Sequence, residues 1–203
     1  MNAASRGTSV AAAALVALLT VACAIEPMTL TGTFSNPDTQ PPNQPHAVKS
    51  KIPAPSCTLI VDAIFDTRTE PHLLGTVAGR PVHAPDDVNT WLHNVVAGIG
   101  TRGVAVSFDT NPTGDAAPLV ASFTLRTAWV SELHTSKAAN TVWQMRLRRG
   151  ETLIEETNFR GADTVMNWSS GDGELQRMVD RAFGRALDQM AAKVHAACEA
   201  PRA

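Results

Sequence analysis

The stretch LVASFTLRTAWVSEL, residues 119–133, decides how this chain folds. Leu119, Ala121, Phe123, Leu125, Trp129 and Leu133 fall on one side of an extended chain, and Ser122, Thr124, Arg126 and Glu132 on the other. Side chains alternate with period two only in a strand, so this is a strand with one dry and one wet face. NTVWQMRLR (140–148) repeats the pattern, with Trp143, Met145 and Leu147 set against Gln144, Arg146 and Arg148. RRGE (148–151) makes a tight turn and TLIEETNF (152–159) returns. Antiparallel sheets commonly carry one solvated face, so the other needs a cover.

Two amphipathic segments can supply it. In DDVNTWLHNVVAGIG (86–100), Val88, Trp91, Leu92, Val95, Val96 and Ile99 recur at helical spacing. Asp86 is placed to cap this helix, and Gly98 and Gly100 to end it. Residues 174–198 form a longer helix, with Leu175, Met178, Phe183, Leu187, Met190 and Val194 on its apolar stripe. CTLIVDAIFD (57–66) reads as a buried strand and VAVSF (104–108) as a short one. The stretch between the first strand and first helix, with Pro71, Gly75, Gly79, Pro81 and Pro85, reads as a loop. The expected fold class is α+β: a two-layer sandwich with a mostly antiparallel sheet, element order β-α-β-β-β-β-α, both helices on one face, spanning residues 57–199.

Upstream, residues 24–56 carry seven prolines among Thr, Ser, Asn and Gln, and read as an extended or disordered tether. PPNQPH (41–46) also fits a polyproline ligand. In residues 1–22, Arg6 is the one charge, and the apolar run from Val10 to Ala22 is about 13 residues long. A spanning helix needs roughly 20, so the run matches a signal-peptide core instead. It ends on small residues and Cys23. That junction resembles the bacterial lipobox, although Leu19 lies one step earlier than the family prefers and Thr20 takes its place. The resemblance implies cleavage before Cys23 and lipid on its sulfur. An ordinary signal peptide cut elsewhere and an uncleaved anchor are the alternatives. By the enteric lipoprotein rule, Ala24 after the cysteine points to the outer membrane, facing the periplasm. The domains expected are therefore a signal peptide (1–22), a lipidated tether (23–56) and the folded body.

The formal net charge is −2, and no basic cluster stands out, which argues against nucleic-acid binding. Beyond Cys23, two cysteines remain, Cys57 and Cys198. An exported protein meets an oxidising compartment, so these are expected to form a disulfide pinning together the ends of the domain.

The candidates for chemistry are weak. GIGTRG (98–103) matches the dinucleotide pattern, but a helix precedes it and a strand follows, the reverse of what phosphate binding needs. Ser169 and Ser170, with Asp172, suit capping the last helix. His46, His72, His83, His93, His134 and His195 make no metal-ligand spacing, although His72, His83 and His93 are close enough in sequence to share a site. Asp62 and Asp66 are a possible acid–base pair, against a strand-end ion pair of Asp66 with Arg68. No catalytic, cofactor or metal residue is assigned. Arg126, Arg146 and Arg148, with Glu155 or Glu156 and Arg160, decorate the wet face of the meander and form a possible protein-docking face.

The lipobox, the proline-rich tether, VDAIFDTR, LLG, DDVNTWL, the meander and the long last helix together resemble the YajG-type lipoproteins and, more broadly, auxiliary lipoproteins of envelope ABC transport systems. The resemblance implies a non-enzymatic binding domain without a cofactor, attached to the membrane through lipid, with an envelope protein as possible partner. Two alternatives are an accessory subunit of a transport or assembly complex and, from another class, a small secreted hydrolase.

Overall fold

The computed structural model describes residues 26–35, 57–109, 118–166 and 171–200. The signal segment, Cys23, residues 36–56 of the expected tether, His46, Ser169 and Ser170 lie outside the described residues. The elements run β1 (Met28–Thr29), β2 (Thr58–Asp66), β3 (Leu73–Val77), β4 (Arg80–His83), α1 (Val88–Ala97), a 3-10 turn (Gly98–Arg102), β5 (Ala105–Ser107), β6 (Leu119–Leu133), β7 (Ser136–Arg149), β8 (Thr152–Met166) and α2 (Asp172–Glu199). The α+β sandwich is present, with a mixed sheet. β6–β7 and β7–β8 are long antiparallel ladders. On its other edge, β6 pairs in parallel with β2 along its first half and with β3 at Val130. β5 adds in parallel to β2, β4 pairs antiparallel with β3, and β1 runs parallel to β4.

The expected element order is corrected at two places. The proline- and glycine-rich stretch after β2 holds the β3–β4 hairpin. Gly75 is required there, since at φ 129° its Cβ position would lie 2.0 Å from the Val130 carbonyl oxygen of β6. The second place is the segment Glu26–Ser35, expected in the tether, which is part of the domain. Met28 and Leu30 are buried, and Phe34 packs against the core. The Thr31 N–H donates to Gln176 Oε1 (2.8 Å), and Asn94 Nδ2 donates to the Gly32 carbonyl (3.0 Å). This strap ties β4, α1 and α2 together.

The alternation in β6 also needs correction. A bulge between Leu125 and Thr127 inserts Arg126 as an extra residue. One extra residue reverses every later side chain. Beyond it Ala128 and Val130 enter the core, while Trp129 and Leu133, expected on the dry face, lie on the solvated one. β7 keeps its expected register, with Trp143, Met145 and Leu147 buried. Phe183 of α2 stands edge-on to Trp91 of α1 at 5.2 Å and to Trp143 at 5.9 Å, linking both helices to the sheet.

The caps of α1 differ by small shifts. Asp87, not Asp86, is the N-cap, with Oδ1 accepting from the Thr90 N–H (2.9 Å) and Oδ2 from the Thr90 hydroxyl (2.7 Å). Gly98 remains helical, and the left-handed stop is Gly103. Gly98 serves the strap instead: a Cβ there would lie 2.6 Å from Phe34 Cε1.

Asp180 holds the strap at α2. Its carboxyl accepts from Gln176 Nε2 (3.0 Å) and from the Ser35 backbone N–H, and it is 1% exposed. Burial pushes its pKa up from 3.8 to about 6, despite those hydrogen bonds and nearby Arg181. A carboxyl raised in the folded state favours folding while protonated, and that contribution is lost as pH rises from about 4 through 6. At about 1.4 kcal/mol per pH unit between the two values, the cost at neutral pH is at most ~3 kcal/mol. Urea unfolding is expected to show stability falling between pH 4.5 and 7, and Asp180→Asn is expected to flatten that slope. A wild-type slope of the opposite sign, or one unchanged in the variant, contradicts this assignment.

Candidate functional site

The three docking-face arginines lie on the solvated face of the sheet, at its β7–β8 turn half. Register places Arg146 beside Ser122 and Glu156, and Arg148 beside Val120. Arg148 Nη2 pairs with Asp62 Oδ2 at 2.9 Å, and Arg146 Nε with Glu156 Oε2 at 3.1 Å. Arg126, at the bulge, donates to Gln144 Oε1, whose Nε2 donates to Glu156 Oε1 at 2.7 Å. The result is a ladder of alternating charge rather than a cationic patch. Exposed pairs of this kind contribute little to stability, ~0–1 kcal/mol each. Their arrangement instead offers donors and acceptors at fixed spacing to a polar surface.

The other half of the same face has a different character. Trp129, Leu133 and Met166 are 47%, 55% and 62% exposed. They stand on rows occupied by Ser131, Ser136, Ala138, Asn140, Ala162 and Thr164, none charged, and Arg160 on the adjoining row donates from Nη2 to Asn140 Oδ1 (3.0 Å). Sequence reasoning missed this region, because the bulge hides Trp129 and Leu133, and Met166 lies past the expected end of its strand.

Asp62 and Asp66 are not an acid–base couple, since each engages a different arginine. Arg68 grips Asp66 with Nε to Oδ1 (2.9 Å) and Nη2 to Oδ2 (2.7 Å), and also donates from Nη2 to the Pro71 carbonyl (2.5 Å). This is a strand-end clasp that fixes the loop into β3. A cleft of about 490 Å³ opens beside it, lined by Phe65, Asp66, His72, Asp86 and Asp87, among others. Thr90's backbone N–H and hydroxyl hold the Asp87 carboxyl below the usual range. Asp66 and Asp87 therefore both act as structural acceptors.

Among the histidines, His72 faces this cleft, His83 ends β4, His93 stacks on Phe108 at 5.0 Å, and His195 Nε2 meets the Arg102 carbonyl at 2.9 Å. Among the described residues, no group of three or more His, Cys, Asp or Glu is placed to hold a metal. GIGTRG forms the passage from α1 through the 3-10 turn to Val104 and β5. Cys57, at the head of β2, and Cys198, in the last turn of α2, are joined by a disulfide with Cα atoms 6.1 Å apart. Among the described residues no helix is long and apolar enough to cross a membrane.

No family model and no curated protein matches this chain. Solved structures resemble it in layout. They include protein XCC0632 from Xanthomonas campestris, of the DUF330 family, at 16% identity over 71% of this chain and 85% of that one, with a TM-score of 0.45. A minor lipoprotein from Acinetobacter baumannii aligns at 12% identity over 70% and 94%, with a TM-score of 0.41. Lipoprotein GNA1162 from Neisseria meningitidis aligns at 14% identity over 71% and 99%, with a TM-score of 0.31.

Proposed function

We propose that this chain is an exported bacterial envelope protein, lipid-anchored through Cys23 at the outer membrane, whose domain works by binding and not by catalysis. The carrying observation is the short apolar run that stops at Cys23. It is long enough to be recognised for export and too short to span. The disulfide between Cys57 and Cys198 supports the reading independently, because such bonds persist in oxidising compartments. Arg126, Arg146 and Arg148 supply the polar docking face, and the partner would be another envelope component carrying complementary charges.

Mass spectrometry of the mature N-terminus tests the anchor. The expected product begins at Cys23 and carries the mass of two or more acyl chains, enough for stable attachment. Cys23→Ser is expected to abolish that modification and leave the membrane fraction. An unmodified wild-type peptide beginning elsewhere ends the lipoprotein reading. Co-purification from gently solubilised envelopes, compared between wild type and Arg146→Glu/Arg148→Glu, tests the docking face; an unchanged partner yield counts against it.

A further inference from the structure

The strap changes where the anchor sits. With residues 24–56 as a tether, the domain would ride some 30 Å from Cys23. With Glu26 already held in the fold by Arg80 Nε on its carbonyl (2.8 Å), only three peptide units separate it from Cys23. Fully extended, they span at most ~11 Å. Residues 36–56 then join the strap to β2 and contribute nothing to the leash.

The register says which end of the sheet this short leash holds. β1 runs beside β4 with Met28 opposite Val82, which brings Glu26 level with Arg80, and Arg80 is opposite Val77. Gly75 is opposite Val130, so Val77 is level with Glu132, whose Oε2 accepts from the Ala78 N–H at 2.6 Å. Glu132 in turn is opposite Lys137, and Lys137 opposite Val165. The chain thus enters at the same end of the sheet as the β3–β4 and β6–β7 turns. One row further out stand Leu133, Ser136 and Met166. The three charge-free rows of the outer face lie at the anchored end, bounded by Arg160 on the next row, which donates to Asn140 Oδ1 (3.0 Å), and Arg146 and Arg148 lie at the opposite end.

We infer that the bilayer holding Cys23 also receives this end of the sheet, with Trp129, Leu133 and Met166 seated in the lipid interface. The inference rests on the lipid anchor proposed above. The chemistry suits that occupant: an indole and two flexible apolar chains on rows without charge, at the end of the sheet where Glu26 enters the fold, itself within about 11 Å of the lipid-bearing residue. Leu153 and Ile154 are also exposed, but they begin β8 at the far end of the sheet, Leu153 opposite Arg148, away from the anchored end. The polar ladder is then turned towards the compartment, where a partner can reach it.

The test uses the full lipidated chain in phosphatidylcholine vesicles, with and without brominated acyl chains. Bromolipid is expected to quench tryptophan emission in wild type, and the component lost in Trp129→Phe to account for most of that quenching. Leu133→Ser/Met166→Ser is expected to lower the quenching at least twofold, while Leu153→Ser/Ile154→Ser leaves it unchanged. Lengthening the leash by twelve Gly/Ser residues between Ala24 and Ile25 lowers the effective concentration of this end at the surface roughly tenfold and is expected to weaken quenching. The same insertion after Pro42 is expected to have no effect. Vesicle flotation without quenching of Trp129 overturns this orientation and leaves the anchor standing. Wild type that fails to float overturns both.

Discussion

Gly161→Ala is expected to destabilise the domain by ~3 kcal/mol or more. Gly161 lies on the inward face of β8, where α2 crosses the sheet. A Cβ built there falls 1.7 Å from the Ala182 carbonyl oxygen, 2.9 Å from its carbonyl carbon and 3.0 Å from the Ala186 nitrogen. All three are helix backbone, so no side chain can rotate away. The helix itself must lift, and lifting it draws Phe183 from between Trp91 and Trp143, the contact joining both layers. Overpacking usually costs ~1–3 kcal/mol, and a collision with backbone sits at the upper end or beyond. Gly173→Ala is the control. Its Cβ would meet only the end of Arg177, at 3.5 Å, and in the first turn of α2 alanine is expected to stabilise by ~0.5–1 kcal/mol. Urea midpoints moving in opposite directions for the two variants check the argument, and equal small shifts would refute it.

The same two elements show what the sequence could reveal. α2 was legible because its apolar residues recur at helical spacing, and β7 because Trp143, Met145 and Leu147 alternate without interruption. The second half of β6 was misread because one inserted residue, Arg126, leaves no compositional trace while reversing every later side chain. The β3–β4 hairpin was hidden by its own glycines and prolines. Gly75 is there because β6 comes too close for a side chain, a fact about tertiary contact that local composition cannot carry. The strap had a faint signal in Met28 and Leu30, two positions apart, submerged among polar and proline residues. For the candidate site, the placement of Arg126, Arg146 and Arg148 on the wet face follows from alternation alone. The acidic partner of Arg148 does not, because Asp62 lies on a different strand, beside a bulge between Val61 and Ala63. Parallel pairings such as β2–β6 likewise depend on a crossover that no local pattern records.

Reducing the disulfide is expected to cost the domain ~3–5 kcal/mol. Cys57 and Cys198 are 141 residues apart, and in the chain-entropy model a closed loop of that length removes about 5 kcal/mol of unfolded-state freedom, commonly less in practice. The bond also has a particular position. It ties the head of β2, whose Cys57 carbonyl accepts from the Ala105 N–H at 2.9 Å, to the last turn of α2. The body from β2 to α2 is thereby enclosed, and the strap from Glu26 to Ser35 is left outside the loop. Loss of the bond should therefore lower the unfolding midpoint of the body while the Asp180-dependent pH slope of the strap persists. Cys57→Ser/Cys198→Ser is expected to match reduced wild type in urea unfolding and to be indifferent to added dithiol. If reduction abolishes the pH slope as well, the bond also keeps Asp180 buried beneath the strap. If it leaves the midpoint unmoved, the bond does not constrain the unfolded chain and its stabilising role is lost.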